Sequence, residues 1–165
     1  MIRNITRTLL IIAVLSGCKS SVTDSLISKI NQDCGNQTKS TCTVVLKDVT
    51  KFKWDKLYFF GSWTTSDSIK KVIRVNYDGE DVQDDYRRML FTYNNKVVYE
   101  EDFKSFDYSN STVNFPDIID SLLHAKPPYF TPSDAIFTAE KGKTKGSCDK
   151  CFEYSLMPIK NRKTE

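Results

Sequence analysis

Cys148 and Cys151 stand in the stretch CDKC, the spacing with which thiol oxidoreductases lower a thiol pKa and run disulfide exchange. Such enzymes set the pair after a strand and at a helix N-terminus of a βαβ unit. Here CDKC comes late in the chain and runs straight into FEYSLMPI, a strand-like segment without that helix, so a structural disulfide is expected. Cys34 and Cys42 enclose GNQTKST, which is not the CxxC spacing of a zinc site, and no metal is expected. Four cysteines allow three connectivities. The local pairing, Cys34 with Cys42 and Cys148 with Cys151, needs no knowledge of the fold. Cross-links between the two ends stay open if the strand after Cys42 lies beside the strand after Cys151.

His124 is the single histidine, placed after Leu122 and Leu123 where a cation suits a helix C-terminus. No GxSxG, HExxH or phosphate-binding glycine loop occurs. The acidic run Asp78, Glu80, Asp81, Asp84, Asp85 lacks the ligand spacing and closing Glu of a calcium loop and reads as a solvated connection. Any two of the 21 acids could meet in space, but no motif pairs them. The expectation is a non-enzyme without a cofactor.

The fifth cysteine, Cys18, belongs to different chemistry. MIRNITR carries Arg3 and Arg7 and no acid, and Leu9 to Leu15 follow as a short apolar run. A spanning helix needs about 20 apolar residues, more than this run supplies. The run ends Leu15-Ser16-Gly17-Cys18, which resembles the bacterial lipobox. The resemblance implies removal of residues 1–17 as a signal peptide and acylation of Cys18, the membrane anchor of a lipoprotein; two or more chains hold a bilayer stably. Lys19, where Asp would resemble an inner-membrane retention signal, leans toward the periplasmic face of the outer membrane. The alternative is an ordinary secreted chain with a structural cysteine at this position. Without the leader's two arginines, 24 − 2 = 22 basic residues face 21 acidic ones, a balance of +1. That near-neutrality argues against a nucleic-acid partner.

KFKWDKLYFF, residues 51–60, resembles a motif, F-x-W-D-x-L-Y, of a group of small Gram-negative lipoproteins. The likeness extends to DVQDDYRRMLF, YFTPSDAIF and the closing strand, and it implies an envelope lipoprotein without assigning a catalytic residue. Phe52 and Trp54 lie two apart and point to one side of an extended chain, as core residues would. Asp55 is placed to accept bonds from turn amides or to pair with Lys56. The functional counterpart is an exposed aromatic surface of Trp54, Trp63 and Tyr58, since Trp and Tyr dominate binding hot spots.

These residues need elements to hold them. Residues 18–40 are expected to form the anchor and a short helix or stalk, with Val22, Leu26 and Ile30 at helical spacing. Residues 41–165 are expected to form one domain. In it, TCTVVLKDV and KLYFFG read as strands, and Thr64, Thr65 or Ser66 caps a helix whose inner face is Ile69, Val72 and Ile73. RMLFTYNNKVVYEEDF reads as a hairpin turning at Asn94-Asn95. Pro116 opens a helix that Pro127-Pro128 ends, and two final strands flank a basic turn. The fold class is α+β: a mainly antiparallel sheet built from hairpins, with two or three short helices against one face. The functional expectation is a lipid-anchored module that binds a protein or envelope component, with an immunity-like role as its specific form. A thiol-disulfide oxidoreductase and a structural envelope lipoprotein are the alternatives.

Overall fold

The computed structural model describes residues 21–35, 40–104, 106–107, 110–116, 118, 129–143 and 150–159. The first element is α1 (Val22–Asp33). Its start is set by Ser21, whose Oγ accepts the Asp24 amide at 2.9 Å. Val22, Leu26 and Ile30, four apart, form the buried stripe. The first turn is also held from outside: the Val22 and Thr23 amides donate to the Glu101 carboxylate at 2.8 and 3.3 Å, and the Tyr99 hydroxyl donates to the same group at 2.7 Å. A carboxylate there suits the positive end of the helix. The helical option therefore holds over the stalk, and α1 is packed into the domain core.

Strands β1 (Thr41–Val45), β6 (Ile136–Lys143), β7 (Phe152–Pro158) and β5 (Thr112–Asn114) form one sheet in that order. Only the β5–β7 pairing is parallel in it. Strands β2 (Lys56–Phe60), β3 (Tyr86–Tyr93) and β4 (Lys96–Lys104) form a second, wholly antiparallel sheet. The class is α+β and antiparallel-rich, as expected. The arrangement is two sheets instead of one, with helices on different faces. The reason lies in β2 and β3, whose apolar residues do not alternate with polar ones, so both faces of their sheet demand cover. Leu57, Phe59, Met89 and Phe91 join α1 and the inner side chains of the other sheet in the main core. Tyr58, Phe60 and Leu90 face the opposite way, under α2 (Ser66–Ile73) and the segment carrying Tyr77 and Val82.

The caps and turns follow local chemistry. Thr65 caps α2 by accepting the Ser68 amide, and Ile69 and Ile73 are buried. Val72, expected on the inner face, is 41% exposed, because α2 presents to the sheet the i, i+4 row of Ile69 and Ile73, which leaves Val72 at its flank. The β3–β4 turn places Asn94 and Asn95 at φ of 50° and 57°, which asparagine tolerates. Asp55 fixes this turn from the neighbouring strand: its carboxylate accepts the Asn94 amide and the Thr92 hydroxyl, each at 2.9 Å. No ion pair with Lys56 forms among the described residues. Cys34 follows α1 and is bonded to Cys42 on β1 with Cα atoms 5.2 Å apart, the local pairing. Cys151 is also disulfide-bonded, while Cys148 and Cys18 lie outside the described residues. His124 and most of the expected 116–128 helix lie outside them too, with Ile118 buried in the main core. Among the described residues no helix is long and apolar enough to cross a membrane.

Candidate functional site

The three aromatics singled out from the sequence do not form one surface. Trp54 is 6% exposed, its indole N–H donating to Thr50 Oγ1 at 2.9 Å and its ring set edge-on to Phe91 at 5.3 Å. Tyr58 is 2% exposed and lies against Phe60 and Tyr129, at 6.3 and 5.6 Å between centroids. Both fail as docking residues for the same reason: they stand on or beside a sheet whose two faces are covered. Trp63 alone remains in solvent, 72% exposed.

Trp63 sits between β2 and α2 at a φ of 64°, a region that costs a non-glycine residue roughly 1–2 kcal/mol. The backbone around it is held from several sides. The Trp63 amide donates to the Val82 carbonyl at 3.0 Å, and the Val82 amide returns a bond to Thr64 at 2.9 Å. The Thr64 hydroxyl donates to Gly61, and the Ser62 hydroxyl to the Tyr86 carbonyl. The backbone there is ordered before a partner covers the indole, so association has only the side chain left to order.

The segment bonded to Trp63 is the acidic connection. Asp78, Glu80, Asp81, Asp84 and Asp85 are all exposed, and no basic residue occurs between Val75 and Tyr86. Asp81 accepts the Ser66 amide at 2.7 Å and Asp84 accepts the Asp85 amide at 2.9 Å. Among the described residues the ion pairs are Lys29–Asp33 and Arg88–Asp102, so none of these five carboxylates is in one.

What orders so charged a loop is Arg88, which sequence reading did not single out. Its side chain is buried on the α2 face of β3 and forks onto Asp102 of β4 at 2.6 and 2.7 Å. The guanidinium also donates to the Tyr77 hydroxyl and, at 2.6 Å, to the Glu80 carbonyl. Tyr77 in turn donates to Glu100 at 2.9 Å. The hydrogen bonds that Arg88 donates to Asp102 hold the guanidinium above its ordinary pKa, against the desolvation that opposes it. Gly79 makes room for this arrangement, since a Cβ there would strike the Tyr77 hydroxyl and ring. The only sequence clue was Arg88 standing opposite a carboxylate in the hairpin register, Arg88 to Asp102.

No protein-family model, curated protein sequence or solved structure matches the chain.

A second buried cation, Lys141, serves structure. Its Nζ donates to Asn31 Oδ1 at 2.8 Å and lies 4.1 Å from the Phe152 ring centroid, while the Tyr154 hydroxyl bonds the same amide oxygen at 3.0 Å. The last turn of α1 has no basic residue, and Lys141 supplies the charge that a helix C-terminus favours. A shallow groove beside α1, about 490 Å³, is lined by residues that include Asp24, Ser28, Lys29, Asp48 and Lys51, and it holds no cluster suited to catalysis. Among the described residues no three side chains gather as metal ligands.

The tyrosines of these networks set an alkaline limit. Burial chiefly pushes Tyr58, Tyr77 and Tyr99 up to about 12, and hydrogen bonds to Glu100 and Glu101 add to the effect at Tyr77 and Tyr99. Their folded pKa values lie above the ordinary 10, so the unfolded chain ionises first; the stability they contribute is intact below pH 10 and lost as pH rises toward 12. Buried Tyr58 and Tyr77 are each worth on the order of 2 kcal/mol over that range. Urea midpoints are expected to hold steady to about pH 10 and then fall, less steeply for Tyr77→Phe. A midpoint unchanged at pH 12 would mean that these hydroxyls titrate as in water.

Proposed function

We propose that this chain is an envelope lipoprotein, anchored through acyl chains on Cys18 at the periplasmic face of the outer membrane, whose folded domain binds a protein without catalysis. The observation that carries the binding half is Trp63, an indole exposed on a backbone hydrogen-bonded on both sides. Hot spots are built this way, from aromatic anchors that need little ordering on association. The anchor half rests on the Leu15-Ser16-Gly17-Cys18 sequence, which ends close before the first turn of α1 at Val22. A specific form of the reading is an immunity-like protein that neutralises a toxin arriving at the envelope.

A thiol-disulfide catalyst would need an attackable sulfur at a helix start. Cys151 is 8% exposed, disulfide-bonded and runs directly into β7, which favours a structural bridge. The test is the intact mass of the chain extracted from membranes and alkylated without reduction. The expected species lacks residues 1–17, carries acyl chains and takes up no alkylating agent. An unacylated mass overturns the anchor, and alkylation at Cys148 and Cys151 restores the redox alternative.

A further inference from the structure

We infer that the face formed by α1 and the 47–53 segment lies on phospholipid headgroups and binds them, which turns the α2 side, with Trp63, away from the bilayer. The inference rests on the Cys18 anchor of the reading above and names the surface that the anchored domain touches. Covalent length carries it. Three peptide links join Cys18 to Ser21, a span of at most about 11 Å. The headgroup layer is itself roughly 5–7 Å deep. Ser21 caps α1, and α1 is no free stalk: Val22, Leu26 and Ile30 are buried in the main core, and the Val22 and Thr23 amides are held by Glu101 of β4. So short an anchor sets the whole domain down beside the start of α1.

The side chains around that end suit headgroups. The groove of about 490 Å³ along α1 is lined by Asp24, Ser28 and Lys29 of the helix and by Asp48 and Lys51 of the facing segment. The Val22 amide donates to the Tyr99 hydroxyl at 3.2 Å, and the Tyr99 ring stacks on Phe52 at 4.9 Å between centroids. Lys51 and Lys53, the chain neighbours of Phe52, are both exposed. This places two cations beside the first turn of α1. Among the described residues Asp24, Asp48, Lys51 and Lys53 take part in no ion pair. Both signs of charge are present, as a zwitterionic headgroup requires: the lysines meet its phosphate, and the two aspartates meet its ammonium. The helix α2 lies on the opposite face of the β2–β3–β4 sheet from α1, so a domain resting on its α1 side presents Trp63 to a partner.

The experiment uses the protein purified from membranes and reconstituted in phosphatidylcholine vesicles that contain a small fraction of lipid with a photoactivatable group at the level of the glycerol. Crosslinks located by peptide mass are expected to gather in residues 22–32 and 47–53, several-fold over residues 62–73, which hold Trp63 and α2. Lys51→Glu with Lys53→Glu should lower the crosslinks at 47–53 several-fold without changing the melting temperature, because both side chains are exposed. The intact mass of the same sample reads the anchor separately. In a chain that carries its acyl chains, crosslinks spread evenly over the two sides, crosslinks gathered on α2, or an unchanged pattern in the lysine variant would overturn this inference and leave the anchor standing. A mass without acyl chains would remove the anchor, and this inference with it.

Discussion

Arg88→Ala is expected to destabilise the folded chain by roughly 2–3 kcal/mol, from the loss of hydrogen bonds made by a buried charged group. The guanidinium forks onto Asp102, which keeps its own contact with solvent, and reaches Tyr77 and the Glu80 carbonyl, so its removal opens a space under Tyr77 and unfastens the acidic segment together. Two readouts separate these effects. Urea denaturation gives the global loss. Limited digestion with a glutamate-specific protease reports the segment, since Glu80 lies within it. Cleavage at Glu80 should accelerate in Arg88→Ala beyond what the global loss explains, because the segment's direct tie is gone. Arg88→Met should lose less than Arg88→Ala, since its side chain refills the space that the arginine stem occupies. A loss below about 1 kcal/mol for Arg88→Ala would mean that solvent screens the guanidinium's bonds as it does an exposed pair.

Phe91→Ala is expected to cost about 3–5 kcal/mol, the usual range for emptying a large core site. Phe91 is fully buried on β3, and its ring meets Phe52, Trp54 and Tyr99 at 5.2, 5.3 and 5.9 Å. The site joins the 51–54 segment to the strand whose Tyr99 and Glu101 hold the start of α1. The chain has two tryptophans, one buried and one exposed, so fluorescence distinguishes a local from a global effect. In folded Phe91→Ala the emission from Trp54 should shift to the red as water or motion enters its pocket, while Trp63 already emits from solvent. An unshifted spectrum together with a loss under about 1 kcal/mol would show that neighbouring rings close the gap.

Much of the local structure was legible because it is governed by neighbours in the chain. The stripe Val22, Leu26, Ile30 announced α1, and Asn94-Asn95 announced the β3–β4 turn with its φ of 50° and 57°. Thr65 was among the named caps of α2. Asp55, beside a turn in the sequence, accepts the Asn94 amide as its type and place suggest. The pairing of Cys34 with Cys42 was the one that required no long-range knowledge. The exposed aromatic surface was not legible. Trp54, Tyr58 and Trp63 are alike in type and close in sequence, yet which of them meets water depends on what covers each face of the β2–β3–β4 sheet. A continuous apolar run such as KLYFF states that both faces are buried without naming the covers.

The sequence by itself thus determined α1, the β3–β4 hairpin with its turn and the α+β class, because those rest on side-chain periodicity and on bonds a few residues long, while it left the cysteine pairing among three connectivities. Only the tertiary structure decided that the strands split into two sheets, that α1 and α2 cover different faces, and that Arg88 and Lys141 are buried. Lys141 finds its acceptor on Asn31, 110 residues away, and Arg88 is distinguished from adjacent Arg87 only by the strand face that the Asp102 register and the cover of Tyr77 define. Burial and charge pairing are properties of surfaces that meet after folding, and they are what separates exposed Trp63 from buried Trp54 and Tyr58.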